Sequence, residues 1–144
     1  VGLWGAQLGA PLLWVLPIAF PALMAIGALS GVLGVPLPFV ELGISASAMV
    51  LGLAVLLQWR APMVVAVLIV AGFALFHGHA HGTELPKAVN PLSYGFGFVI
   101  STGLLHLCGI GIGALNHWNW GSAIIRGAGA LIALAGVLFV LGVL

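Results

Sequence analysis

The sequence predicts an all-α polytopic transmembrane bundle, with five full spans plus the end of a first span, so that six are expected in the complete protein. Three observations predict it. Hydrophobic residues make up 63% of the chain and charged residues 3%, whereas soluble domains carry about a quarter charged residues. The apolar runs, of about 20 residues each, are long enough to cross a bilayer and lack the period-2 alternation of barrel strands. The 22 glycines suit helices that approach closely in lipid. Mean hydropathy of +1.34 agrees, and residues 1–144 read as a single transmembrane domain in contact with the lipid bilayer. The net charge of +1 offers nothing to nucleic acid. The single Cys108 excludes an internal disulfide or a thiolate cluster.

Residues 1–8, beginning Val1-Gly2-Leu3-Trp4, are apolar enough to be the closing half of a span, so further residues are expected upstream. The second span is expected from Leu12 to Leu33, entered through Gly9-Ala10-Pro11. Pro17 and Pro21 lie inside it, and each removes a helical hydrogen bond, which predicts a kink or a widened first turn. Gly27-x-x-x-Gly31 offers a flat strip for a neighbouring helix. The segment Gly34-Val35-Pro36-Leu37-Pro38 turns the chain.

A third span is expected from Phe39 to Trp59, with Glu41 in its first turn and Gly43, Ser45 and Ser47 as small packing residues. Arg60-Ala61-Pro62 ends it, and Pro62 opens a fourth span that runs to Gly82. The polar link from Glu84 to Pro91 contains Lys87 and Asn90. A fifth span, Leu92 to Ala114, carries Ser101, Thr102, His106 and Cys108. Asn116-His117-Trp118-Asn119-Trp120 has the amphipathic aromatics of a membrane interface. A sixth span from Ala123 to the end carries Arg126 in its first turn.

Phe76-His77-Gly78-His79-Ala80-His81-Gly82-Thr83-Glu84 is the place where apolar side chains give way. It holds three of the five histidines and one of the two acids. At about 100° per residue, His81 lies roughly 40° from His77 and Glu84 roughly 20° on its other side, while His79 falls about 200° away. Two imidazoles one turn apart with a carboxylate beside them offer the nitrogen and oxygen donors that a borderline divalent metal takes. Ionisable groups inside a span are costly and mark function. His77 stands roughly 22 Å along the fourth span and His81 about 6 Å further, so the site is near one membrane face.

The remaining candidates each have a plainer reading beside the functional one. His79 reads as a ligand or as a packed interfacial histidine, and His106 as a second metal station or as a hydrogen-bonding group between helices. Glu41 either attracts the metal or complements a helix N-terminus. His117 reads as an interfacial loop residue, Cys108 as a small packer, and Met24, Met49 and Met63 are too dispersed for a thioether path. The turns after the odd-numbered spans hold Arg60 and Arg126, whereas Lys87, Glu41 and Glu84 lie on the opposite side. The positive-inside rule then puts the arginines in the cytoplasm and the histidine stretch toward the periplasm.

Phe76-His77-Gly78-x-Ala80-His81-Gly82-x-Glu84 resembles the second signature of the HupE/UreJ family of bacterial membrane proteins. The opening Val1-Gly2-Leu3-Trp4-Gly5-Ala6-Gln7-Leu8-Gly9, Glu41-Leu42-Gly43, and Thr102-Gly103-Leu104-Leu105-His106 support the match, which runs over essentially the whole chain. The resemblance implies an inner-membrane permease or facilitator for nickel, in some members cobalt, serving hydrogenase or urease maturation. By position His77, His81 and Glu84 match the signature's functional residues, and His79 occupies a variable slot. The family's earlier signature, with His-Pro and Asp-His, is expected upstream of Val1.

Two further classes stay open on the residues alone. His77 and His106 on facing spans could ligate b-type haem in an electron-transfer subunit. The chain could also be a structural subunit of a larger membrane assembly, held to other membrane subunits by its glycine strips and tryptophans. A catalytic role is not expected, since repeated histidine boxes and a Gly-x-Ser-x-Gly turn are absent. Nitrogen and oxygen donors suit nickel, cobalt, zinc and copper alike.

Overall fold

Lipid-soluble helices need defined ends, and the chain supplies them with proline, glycine and asparagine. The computed structural model describes residues 1–86 and 89–143. Lys87, counted above among the charges that set orientation, lies outside the described residues. All regular elements among the described residues are helical: α1 Gly2–Leu8, α2 Leu12–Val32, α3 Val40–Leu56, α4 Met63–Thr83, α5 Pro91–Gly113 and α6 Asn119–Val140, with a 3₁₀ turn at Ala114–His117. The α2, α4, α5 and α6 segments are long and apolar enough to cross a membrane. The 17 residues of α3 make a shorter apolar helix.

The helix ends follow from local chemistry. Asn90 caps α5, its Oδ1 accepting from the Leu92 and Ser93 amides at 2.9 and 3.2 Å, with Pro91 at the first helical position. α2 closes on Gly34 at φ 72°, with the Val35 amide reaching back to the Ser30 carbonyl and Gly34 to Gly31, both at 3.0 Å. α3 closes the same way on Gln58 at φ 51°, a conformation unfavourable for a residue with a Cβ. The Gln58 side chain offsets that cost by donating to Ser122 Oγ at 2.9 Å.

α2 remains one helix through Pro17 and Pro21. Two expected bounds shift. α3 stops at Leu56 rather than Trp59, because Gln58 turns the chain first. α6 begins at Asn119, four residues before the expected Ala123, so Trp120 is helical and Arg126 lies in the second turn. There the Arg126 side chain donates to the Leu56 carbonyl of α3 at 3.0 Å.

Glycines decide which helices meet. A Cβ at Gly27 would strike Leu75 and His79 backbone, and one at Gly31 would strike His79 and Thr83. From the other side, Gly78 lies against Met24 and Gly82 against Ala28. Both numberings rise together, so α2 and α4 pack in parallel, with backbones as close as small residues permit in lipid. Gly52 against Ala133, Gly129 against Leu56, and Gly136 against Met49 join α3 and α6, here antiparallel. α1 lies on α5 through Gly2 beside Gly109 and Ala6 beside Gly113. Fully buried side chains are few, among them Trp4, Leu16, Met24, Val70 and Ile125. Much of α5 is open, with Leu92, Phe96 and Leu105 at least 70% exposed, as suits a surface solvated by acyl chains.

Candidate metal site

The last two turns of α4 carry the histidines, and glycine packing fixes which way each can point. Gly78 and Gly82 lie against α2, so that stripe of α4 is closed to large side chains. His77 lies to one side of it and is partly buried. Its Nδ1 is 3.0 Å from the Phe73 carbonyl. A carbonyl only accepts, so Nδ1 carries the proton and Nε2 keeps the lone pair. The ring meets the edge of Phe20 at 5.6 Å between centroids.

His79 is 4% exposed and faces α2, with its Nδ1 3.1 Å from Ser30 Oγ. Ser30 has one hydroxyl proton and gives it to the Gly27 carbonyl at 2.6 Å. The hydroxyl must therefore accept from His79 Nδ1–H, which again leaves the lone pair on Nε2. His81 is half-buried, with Nδ1 3.3 Å from the Tyr94 hydroxyl. It stacks on Phe98 at 5.1 Å and 15°, and lines a cleft of about 270 Å³ between α2, α4 and α5 with Tyr94, Phe98, Leu29 and Leu92. Each of the three rings is thus held through Nδ1 by a different protein oxygen. Anchoring one imidazole nitrogen so that the other is presented is how ligand histidines are usually oriented.

Glu84 follows the last residue of α4, its amide bonding the Ala80 carbonyl at 2.9 Å, and its side chain is exposed. Glu41 is exposed in the first turn of α3, and connectivity puts both acids at the same end of the bundle. Neither forms an ion pair among the described residues. His106 of α5 is 8% exposed and meets Phe20 edge-on at 5.2 Å. It faces the Pro17 carbonyl, which Pro21 deprives of its helical donor. Its Nδ1 has no partner.

Among the described residues no three of His, Cys, Asp and Glu come together as a ready-made metal cluster. The sequence-predicted donors are distributed instead. His77, His79 and His81 radiate from α4 toward different neighbours, Glu84 and Glu41 stand at the rim, and His106 lies beyond Phe20. Sequence reasoning missed Phe20, Tyr94 and Ser30, which contact these rings. Tyr94 carried a signal, being the single tyrosine of the chain, at the start of the span that follows the histidine stretch. Phe20 carried none, since a phenylalanine in an apolar run is unremarkable in a sequence.

The HupE / UreJ protein family matches residues 1–139. Protein HupE of Rhizobium leguminosarum bv. viciae is 41% identical over 142 residues, which span 99% of this chain and 74% of that protein. No solved structure matches. With a family match over nearly its whole length and this degree of identity to a curated relative, the membrane protein described here belongs to the HupE / UreJ family.

Proposed function

We propose that the protein moves a divalent transition metal, nickel foremost, across the bacterial inner membrane, with the histidine end of α4 toward the periplasm. One observation carries this reading. Three imidazoles within five residues of a membrane helix each meet a protein oxygen through Nδ1, and in His77 and His79 that oxygen accepts from Nδ1–H, so that Nε2 keeps the lone pair a metal takes. Family membership and the apolar helices support it.

The roles follow from position and chemistry. Glu84 and Glu41, exposed at the rim, attract the dication and offset its charge. His81, His77 and His79 exchange water for nitrogen, without which entry into a low-dielectric bundle is prohibitive. Separated single imidazoles bind more weakly than a closed cluster would, and conduction needs binding that permits release. His106 is the next donor, past Phe20. Cobalt, zinc and copper meet the same donors, and the 144 residues act as one transmembrane unit without chemical conversion of a substrate. The haem alternative is disfavoured because Phe20 fills the space between His77 and His106.

The test is uptake of radiolabelled nickel by metal-limited cells at submicromolar supply. His77→Ala, His81→Ala and Glu84→Gln each lower uptake about tenfold or more, as loss of a ligand or its support does. His117→Ala, exposed in the 3₁₀ turn, leaves uptake unchanged. Equal uptake in all four variants sinks the assignment.

A further inference from the structure

Two buried side-chain atoms among the described residues have no hydrogen-bond partner, His106 Nδ1 and Gln7 Oε1. His106 belongs to the path already described, but Gln7 does not. It is 6% exposed on α1, and its Nε2 lies 3.1 Å from the Val55 carbonyl of α3. Because a carbonyl only accepts, that bond fixes which end of the amide is nitrogen and leaves Oε1 as the atom without a donor. An acceptor buried without a partner in a membrane bundle is costly. The Val55 contact accounts for the nitrogen end of the amide, and the oxygen at its other end calls for a ligand.

Its location says which ligand. Leu3, one helical turn before Gln7 on the same face of α1, lines a cleft of about 240 Å³ together with His77, Phe20, Ser47 and Val55. Val55 is the residue whose carbonyl holds Gln7. The cleft thus has an imidazole in its wall and shares Val55 with the Gln7 contact, so the buried amide lies one residue behind its lining. α1 runs from the level of His106, whose backbone Gly2 touches, toward the end of the bundle where Trp4 donates to the Trp59 carbonyl at 2.9 Å.

We propose that Gln7 is the inward station of the cation path, its Oε1 supplying an oxygen ligand to a partly dehydrated divalent cation that has left the imidazoles. A neutral oxygen binds a borderline dication more weakly than nitrogen does, which favours release on the inner side. The assignment rests on the transport reading above.

The test compares Gln7→Met, similar in length but without the amide, and Gln7→Glu, which keeps an oxygen acceptor, each in the full chain. Nickel uptake is measured alongside membrane abundance and thermal melting in detergent. Gln7→Met is expected to lower uptake per folded molecule about tenfold, the effect of losing one good contact to a charged group, with the loss of melting from the broken Val55 contact matched in Gln7→Glu, which also lacks the donor. Gln7→Glu is expected to retain most of the uptake. Parent-like uptake by Gln7→Met, equal loss in both variants, or loss that merely follows abundance overturns the proposal. His81→Ala, run in parallel, separates the two readings: parent-like uptake there overturns transport itself. Loss in His81→Ala with parent-like Gln7→Met overturns only the role of Gln7.

Discussion

The α2/α4 pair and the α3/α6 pair are built on the same device and differ in what they carry. Both bring backbones together over glycine, Gly27, Gly31, Gly78 and Gly82 in one, Gly52, Gly129 and Gly136 in the other. Only the first buries imidazole at its contact, where Ser30 of α2 holds His79 of α4. The second is joined through small and apolar side chains, and its polar contacts, Arg126 to the Leu56 carbonyl and Gln58 to Ser122, lie at one end. The difference teaches that close glycine packing is the scaffold and not the site. Gly78 and Gly82, though inside the histidine signature, set the distance to α2, while the histidines beside them make the polar contacts.

The largest effect that would sharpen this contrast is expected from matched glycine substitutions. A Cβ at Gly78 meets the Met24 carbonyl and one at Gly129 meets the Leu56 amide nitrogen at 2.6 Å, so either change to alanine should cost about 1–3 kcal/mol by overpacking. Thermal unfolding in detergent should show similar losses. Nickel uptake per folded molecule should fall with Gly78→Ala, which displaces His77 and His79, and hold with Gly129→Ala. Abolished uptake per folded molecule in Gly129→Ala would break the comparison.

A smaller effect is expected at Tyr94. Tyr94→Phe keeps the ring beside Phe98 and removes the hydroxyl facing His81, so nickel affinity of the purified protein should drop about tenfold with little change in melting. Unchanged affinity would reduce Tyr94 to packing. The smallest effect is expected from Ser30→Ala, which leaves His79 Nδ1–H without its acceptor and should cost about 1 kcal/mol. Ser122→Ala in the second pair removes the Gln58 contact at a similar cost, and only the Ser30 change should also alter metal titration.

Most of the fold was legible because apolar runs and their breakers are local properties. Pro11, Gly34, Pro62 and Asn90 stand where helices begin or end. What was not legible was pairing. Gly27 and Gly31 read as a packing strip, but nothing local says that their partner is α4, or that Gly52 meets α6. The early end of α3 was missed for the same reason, since Gln58 adopts a glycine-like turn only with Ser122 in reach from another helix. For the site, the histidines and acids were visible as polar residues in an apolar chain, and their shared helical face followed from spacing. Their separate anchors at Phe73, Ser30 and Tyr94 depend on neighbouring backbones and helices, so sequence suggested one knot where the rings disperse.

The short α3 has a consequence for the bilayer. At 17 residues it spans about 26 Å, less than the roughly 30 Å hydrocarbon slab. Its terminal carbonyls at Val55 and Leu56 are nevertheless shielded by Gln7 and Arg126, so the helix can stop early without exposing backbone to acyl chains. Lipid around that side must compress by a few ångströms or the protein must favour a thinner membrane. Either way, the low-dielectric slab beside α3 is locally narrower.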